Sequence, residues 1–470
     1  MKLSERLNRS SREEIPVPVK EKSLVGTESY QEIKSKIHSM LIERLDLNTL
    51  DTISTSQLQA EIRSVLGNII RNEAIPLNQS ERESLIDEVI DEIMGLGPLE
   101  PLLRDTTISD ILVNTYSKVY VERAGQLSAT NVRFKNNDHL LQIIDRIVSR
   151  VGRRVDETSP MVDARLQDGS RVNAIIPPLA IDGPLLSIRR FGSHPLTLKQ
   201  LIENESLTEE MAELLKAAVQ SKLNIVIAGG TGSGKTTLLN MLSSFIPPTE
   251  RIVTIEDSAE LQLQQEHVVR LETRPPNIEG KGEVTQRDLV KNTLRMRPDR
   301  IVIGEVRGAE CLDMLQAMNT GHEGSLTTIH ANTPRDALSR LETMVSMSGL
   351  NLSDLALRQQ TARAIELIVQ CNRLPDGKRR IVSISEIVGM EGNIITMQDI
   401  HKFEQTSVED EGNIIGILKS TGIVPKCLDK IKRNGIQLSE NVFSFHRTVG
   451  AMRNGEFTGD TDPGSVPSVH

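Results

Sequence analysis

Tryptophan is absent from the 470 residues, and aromatic side chains make up only 2% of the chain. Surfaces that stack successive nucleic-acid bases need such rings, so composition argues against a single-strand binder. The three cysteines, Cys311, Cys371 and Cys427, lie far apart and form no C-x-x-C pair. A thiolate zinc site is therefore not expected, and three reduced thiols are the plain reading. No apolar run approaches the ~18 residues that a membrane span requires. The opening stretch, M-K-L-S-E-R-L-N-R-S-S-R-E-E, lacks the apolar centre of a signal peptide. A cytoplasmic protein is the expectation, with membrane contact only through partners. The net charge of −9 offers no bulk attraction to nucleic acid.

What is present divides into segments. Residues 1–27 are polar, carry Pro16 and Pro18, and read as a flexible arm. Three amphipathic helices are expected over 28–96. The first carries Ile33, Ile37, Leu41 and Leu45 at four-residue spacing. The second opens on Ser56 and Gln59, and the third on Ser80 and Glu83, both with capping-box spacing. Gly95, Gly97 and Pro98 stop the third. One apolar stripe per helix makes a small bundle the economical packing. Residues 97–196 read as an α+β domain. Strands are expected around 111–114 and 119–122, a helix over 138–150, and a hairpin over 165–174 turning at Asp168-Gly169. From 197 to 447 short apolar strands, at 224–228, 251–255 and 300–304, alternate with helical stretches. That pattern predicts a parallel sheet covered on both faces. The segment 448–470 has few apolar residues and is expected to be disordered.

G-G-T-G-S-G-K-T-T at 229–237 fits G-x-x-x-x-G-K-[ST] through Gly229, Gly234, Lys235 and Thr236. Glycines let a backbone wrap an anion and turn its N–H groups inward, and the following helix presents its N-terminus to the phosphates. A strand precedes the motif and a helical pattern follows it, as a phosphate loop needs. Gly230, Thr231, Gly232, Ser233, Gly234, Lys235, Thr236 and Thr237 are the candidate nucleotide-binding residues. Lys235 would neutralise phosphate charge, and the Thr236 hydroxyl would bind Mg²⁺. The cofactors expected are ATP and Mg²⁺.

R-I-V-I-G-E-V-R-G at 300–308 places Gly304 where phosphate-loop hydrolases usually carry a metal-holding aspartate. T-I-E-D-S-A-E-L at 254–261 ends a neighbouring strand with Glu256, which could supply that carboxylate instead. Gly304 would then leave room for phosphate or water near Glu305, which could polarise the attacking water. G-H-E-G-S-L-T-T-I-H-A-N at 321–332 carries His322 and His330. Such imidazoles either bond the γ-phosphate, orient Glu305 or are structural. The arginines of S-I-R-R-F, Arg189 and Arg190, lie just before the nucleotide-binding segment, where a guanidinium fork could meet phosphate oxygens. No N-K-x-D base-reading motif accompanies the loop, which argues against a GTPase switch.

These motifs, in this order, resemble the type II/IV secretion ATPase superfamily. The likeness covers about residues 30 to 447. It extends to G-L-G-P-L-E-P-L-L (95–103), to 152–179 and to L-S-I-R-R-F, where it is most like the CpaF/TadA-type ATPases of Flp (tight-adherence) pilus assembly. The resemblance implies a multidomain α/β fold: a RecA-like P-loop NTPase domain preceded by an α+β (PAS-like) domain and an N-terminal three-helix bundle. It implies a homo-hexameric motor ATPase on the cytoplasmic side of the inner membrane, acting on a membrane platform protein and peripheral to that membrane. By motif position, Glu305 takes the catalytic glutamate role, Glu256 the Asp-box role with Thr236 at the metal, and His322 and His330 the His-box positions. Arg189 and Arg190 match basic positions of the N-terminal domain, and which of them touches phosphate stays open. A type IV secretion traffic ATPase and a nucleotide-binding scaffold with little hydrolysis are the alternatives. The four-cysteine metal module of type II relatives is missing, so no zinc is expected.

Overall fold

A computed structural model describes residues 28–450, apart from 45–54, 74, 76, 124, 191–195, 277–279, 350–352 and 410–411. The expected flexible arm, Leu45 and residues 451–470 lie outside the described residues. The fold is multidomain α/β, and the chain divides into two compact units, Met1–Gly192 and Ser193–His470.

In the first unit, helices Glu28–Arg44, Thr55–Asn72 and Gln79–Met94 share an apolar centre that includes Ile37, Leu41, Leu66, Ile69 and Leu85. The third helix starts earlier than the Ser80/Glu83 pattern suggests. Asn78 is its N-cap and forms a reciprocal capping box with Glu81. Asparagine caps as well as serine does, and the box two residues upstream satisfies the first free N–H groups. The rest of this unit is an antiparallel sheet of β1 (Ile108–Thr115), β2 (Lys118–Arg123), β3 (Gln126–Ala129), β4 (Met161–Arg165), β5 (Arg171–Ile175) and β6 (Leu185–Arg189), in the order β3-β2-β1-β6-β5-β4. The helix Asn137–Arg150 buries Leu140, Ile143, Ile144 and Ile147 in the same core as Ile111, Val113 and Ile188 of that sheet.

The second unit is built on one ten-stranded sheet. Its strands are β7 (Ile225–Gly229), β8 (Ile252–Glu256), β9 (Val268–Glu272), β10 (Arg300–Ile303), β11 (Leu326–His330), β12 (Leu367–Arg373), β13 (Arg379–Glu391), β14 (Ile394–Val408), β15 (Ile414–Ser420) and β16 (His446–Val449). Their order is β16-β15-β14-β13-β12-β7-β11-β10-β8-β9. The strands from β12 to β9 in that order are parallel. Ile225 and Ile227 enter one apolar cluster while Val226 and Ala228 enter another, so both faces of β7 are covered, as its unbroken apolar run requires. The sheet is not parallel throughout: β13 to β16 continue it as an antiparallel meander. Thr448 and Val449 belong to its edge strand, so order extends past the start of the expected tail.

Arg300, at the start of β10, is fully buried. Its guanidinium pairs with Glu250 and donates to the carbonyls of Gly324 at 3.1 Å and Val219 at 2.9 Å. It thereby ties the segments that lead into β7, β8 and β11 at the N-terminal end of the sheet. Gly324 must be glycine for two reasons: its φ is +80°, and a Cβ there would lie 2.0 Å from an Arg300 nitrogen. Removing a buried ionic partner leaves its carboxylate and carbonyls unpaired, at about 3–5 kcal/mol. Arg300→Ala is therefore expected to lose about that much stability in urea unfolding, and an unchanged midpoint would contradict this role.

Candidate active site

The phosphate loop leaves the C-terminal end of β7 and enters the helix Lys235–Ser243. Gly232 and Gly234 take φ of +68° and +95°, which side chains on L-residues rarely adopt. The Ser233 hydroxyl and the Lys235 ammonium both donate to the Gly230 carbonyl at 2.9 Å. Partial burial pushes the Lys235 ammonium below its ordinary pKa, and the Glu305 carboxylate opposes that shift.

Glu256 ends β8, and Gly304 follows β10 directly alongside it, its N–H donating to the Ile255 carbonyl at 2.9 Å. Glu256 is only 3% exposed. A Cβ on residue 304 would stand 2.9 Å from Cγ of Glu256, closer than such carbons approach. The room at Gly304 is therefore filled by the Glu256 side chain, and is not left for phosphate or water as the sequence suggested. One Glu256 oxygen, Oε2, accepts the N–H groups of Glu260 at 2.7 Å and Leu261 at 2.9 Å. The other, Oε1, is buried without a hydrogen-bond partner. Burial raises the carboxyl above its ordinary pKa, outweighing the two N–H groups that favour its ionised form.

The segment after Gly304 is held on several sides. The Thr328 hydroxyl donates to the Gly304 carbonyl at 2.7 Å, and Gln286 donates to the Glu305 carbonyl at 3.0 Å. Glu310 accepts the N–H groups of Arg307 and Gly308, both at 2.8 Å. Arg307 lies between two carboxylates, 2.9 Å from Glu305 and 3.2 Å from Asp257. The backbone is thus hydrogen-bonded on both sides of the Glu305 side chain.

His330 ends β11 in register with Gly229, beside the start of the loop. With Arg307, Asn332, Asp336 and Arg340 it lines a cavity of about 480 Å³. His322 precedes the opposite end of β11. A five-residue strand separates its ends by about 13 Å, so the two histidines do not converge. His322 has its N–H on the Ala317 carbonyl and its Nδ1 buried without a partner. Arg189 and Arg190 belong to the first unit, where Arg189 pairs with Asp110 at 3.0 Å and Arg190 donates to the Asp105 carbonyl. Two further arginines, Arg373 and Arg379, stand against the loop and were not among the expected site residues. They flank a Pro-Asp-Gly turn in R-L-P-D-G-K-R-R, a hairpin signal that was open to reading.

Among the described residues, no group of three or more His, Cys, Asp or Glu could hold a metal. The available donors, the Thr236 hydroxyl and the orphaned Glu256 oxygen, are hard and few. Mg²⁺ is suited to such a site, because it keeps waters and phosphate oxygens in its shell. The donor set fits the expected ion.

A family model described as "Type II/IV secretion system protein" matches residues 92–410, more than half of the chain. The chain belongs to the type II/IV secretion system protein family. A second model, the N-terminal domain of type II secretion system protein E, matches residues 30–94. A putative conjugal transfer protein of Mycobacterium tuberculosis is 39% identical over 64% of this chain and 87% of its own length. The conjugal transfer protein TrbB of Rhizobium radiobacter is 34% identical over 62% of this chain and 86% of its own. The crystal structure of the VirB11 ATPase from the Brucella suis type IV secretion system is 29% identical, covering 63% of this chain and 97% of that one, with a TM-score of 0.33. The superfamily resemblance thus holds at family level, while the two sequence relatives carry conjugal-transfer names and no Flp pilus name.

Because the folded-state pKa of Glu256 is raised, its contribution to stability is full below the ordinary glutamate range and is lost as pH rises through the folded value. Glu256→Gln removes that loss. Its melting temperature relative to wild type is expected to climb between about pH 4 and pH 7.5. A difference that does not change with pH would show that burial of the charge has no such cost.

Proposed function

We propose that the chain is an ATP-hydrolysing motor subunit of a type IV-type secretion or conjugal transfer machine. The observation that carries this is the Lys235 phosphate loop at the C-terminal end of β7, on the same parallel sheet as β8 and β10, at whose ends Glu256 packs over Gly304 just before Glu305. Loop N–H groups and Lys235 hold the phosphates, and Glu305 takes the proton of the attacking water. Glu256 and Thr236 would hold Mg²⁺, which would supply positive charge to the phosphate oxygens. His330 stands close enough to the loop strand to report on its occupancy. Roles for Arg189, Arg190 and His322 toward phosphate belong to this proposal on the resemblance alone. So do the hexameric ring and its membrane platform partner. No helix among the described residues is long and apolar enough to cross a membrane, which is compatible with attachment through such a partner.

The names of the relatives favour transfer or secretion over the Flp pilus as the machine served. The pilus reading keeps one supporting observation, the helical segment 30–94 with its type II secretion match.

Steady-state ATP hydrolysis of the purified full chain tests the proposal. Lys235→Ala is expected to lose nucleotide binding or turnover. Glu305→Gln is expected to keep binding and lose turnover by ~10²-fold or more, as for a missing general base. Turnover per subunit that rises with protein concentration would support a ring. Wild-type turnover in Glu305→Gln would remove the mechanism.

A further inference from the structure

The phosphate loop sits between two unlike neighbourhoods. On one side of β7 lie β11, β10 and β8, whose C-terminal ends carry His330, Glu305 and Glu256. On the other side lie β12 and β13, joined by a tight turn. Two hydrogen bonds close that turn: the Leu374 N–H donates to the Lys378 carbonyl at 2.8 Å, and the Asp376 carboxylate accepts the Lys378 N–H at 2.9 Å. Arg373 and Arg379 face each other across it in register. Arg380, the next residue, points the other way. It is buried over the Phe403 ring and paired with Glu205 at 3.2 Å, which pins the base of the hairpin.

Both outer arginines reach the loop. Arg379 donates from Nε to the Gly232 carbonyl at 2.9 Å. Its Cδ lies 3.5 Å from where a Cβ on Gly234 would stand. A nitrogen of Arg373 lies 3.9 Å from the same point on Gly232. Both residues are exposed at the rim of the loop.

The polarity of the site follows from this arrangement. The chemistry of hydrolysis requires the terminal phosphate to lie toward Glu305 and Glu256. The rest of the nucleotide then leaves the loop on the opposite side, toward β12 and β13. Guanidinium groups stack on aromatic ring faces, and every nucleobase presents such a face. We infer that Arg373 and Arg379 form the nucleoside-side wall of the site, with their guanidinium groups against the base and ribose of a bound nucleotide. This rests on the nucleotide-binding reading above and assigns two residues that the loop motif does not contain. Stacking makes the wall tolerant of base identity, in keeping with the missing base-reading motif.

The test compares two ligands that share phosphates and differ in the nucleoside. Calorimetry on the full chain, with Mg²⁺, measures affinity for ADP and for inorganic pyrophosphate in wild type, Arg373→Ala and Arg379→Ala. Loss of a cation–ring contact is expected to weaken ADP about tenfold in each variant, with pyrophosphate affinity unchanged in Arg373→Ala. Arg379→Ala also frees the Gly232 carbonyl, so Arg373→Ala is the cleaner measurement of the two. ADP affinity that stays at the wild-type value in both variants would overturn the inference while leaving the nucleotide reading intact. An equal fall for ADP and pyrophosphate in Arg373→Ala would also overturn it, by placing that arginine on the phosphates. A wild-type chain that binds neither ligand would overturn the nucleotide reading itself.

Discussion

The site depends on one contact, the Glu256 side chain laid across Gly304. Strands β8 and β10 are parallel neighbours in register, so their C-terminal ends stand side by side. Two side chains of carboxylate size cannot share that position, because a single Cβ at 304 already meets Glu256 Cγ at 2.9 Å. The chain resolves the conflict by giving one strand the acid and the other a glycine. The buried carboxylate comes from β8, and the segment after β10 is left free to turn and present Glu305. Thr328, Gln286 and Glu310 then fasten that segment through hydrogen bonds. The absence of an aspartate at 304 is thus a packing consequence and no sign of a lost site.

A second constraint acts at the other end of the sheet. Arg300 binds β10 to the segments entering β7, β8 and β11, with its charge met by Glu250 and its remaining donors met by carbonyls. The register of the ends that carry Glu256 and Gly304 therefore depends on a buried arginine at the far ends of the same strands. Each parallel strand is short, four to seven residues, so a slip at one end would be felt at the other.

Much of this was legible in the sequence because the governing interactions are local. The phosphate loop, the apolar strands β7, β8 and β10, and the hairpin turning at Asp168-Gly169 rest on residues adjacent in the chain. Other features depend on distant partners and left no local trace. In β13, Ser385 and Glu386 are buried and break the apolar pattern. They are satisfied by Asp399, Gln398 and the N–H of Cys427, which no window on the strand reveals. Arg300 reads as one of several arginines in L-R-M-R-P-D-R until its carbonyl partners come from 81 and 24 residues away. His322 and His330 stand close in the sequence, but strand β11 runs between them and holds them apart. Arg373 and Arg379 approach the loop only because β12 pairs with β7, a contact between segments more than 130 residues apart.

The most direct test of the central claim is an exchange of the acid between strands. Mg²⁺-dependent ATP turnover would be compared for Gly304→Asp alone and for Gly304→Asp combined with Glu256→Ala. If Glu256 fills the space over Gly304, the single substitution abolishes turnover by steric conflict, and the double substitution recovers a measurable part of it. Turnover near wild type in Gly304→Asp alone would contradict the account, and so would a double variant no better than the single one.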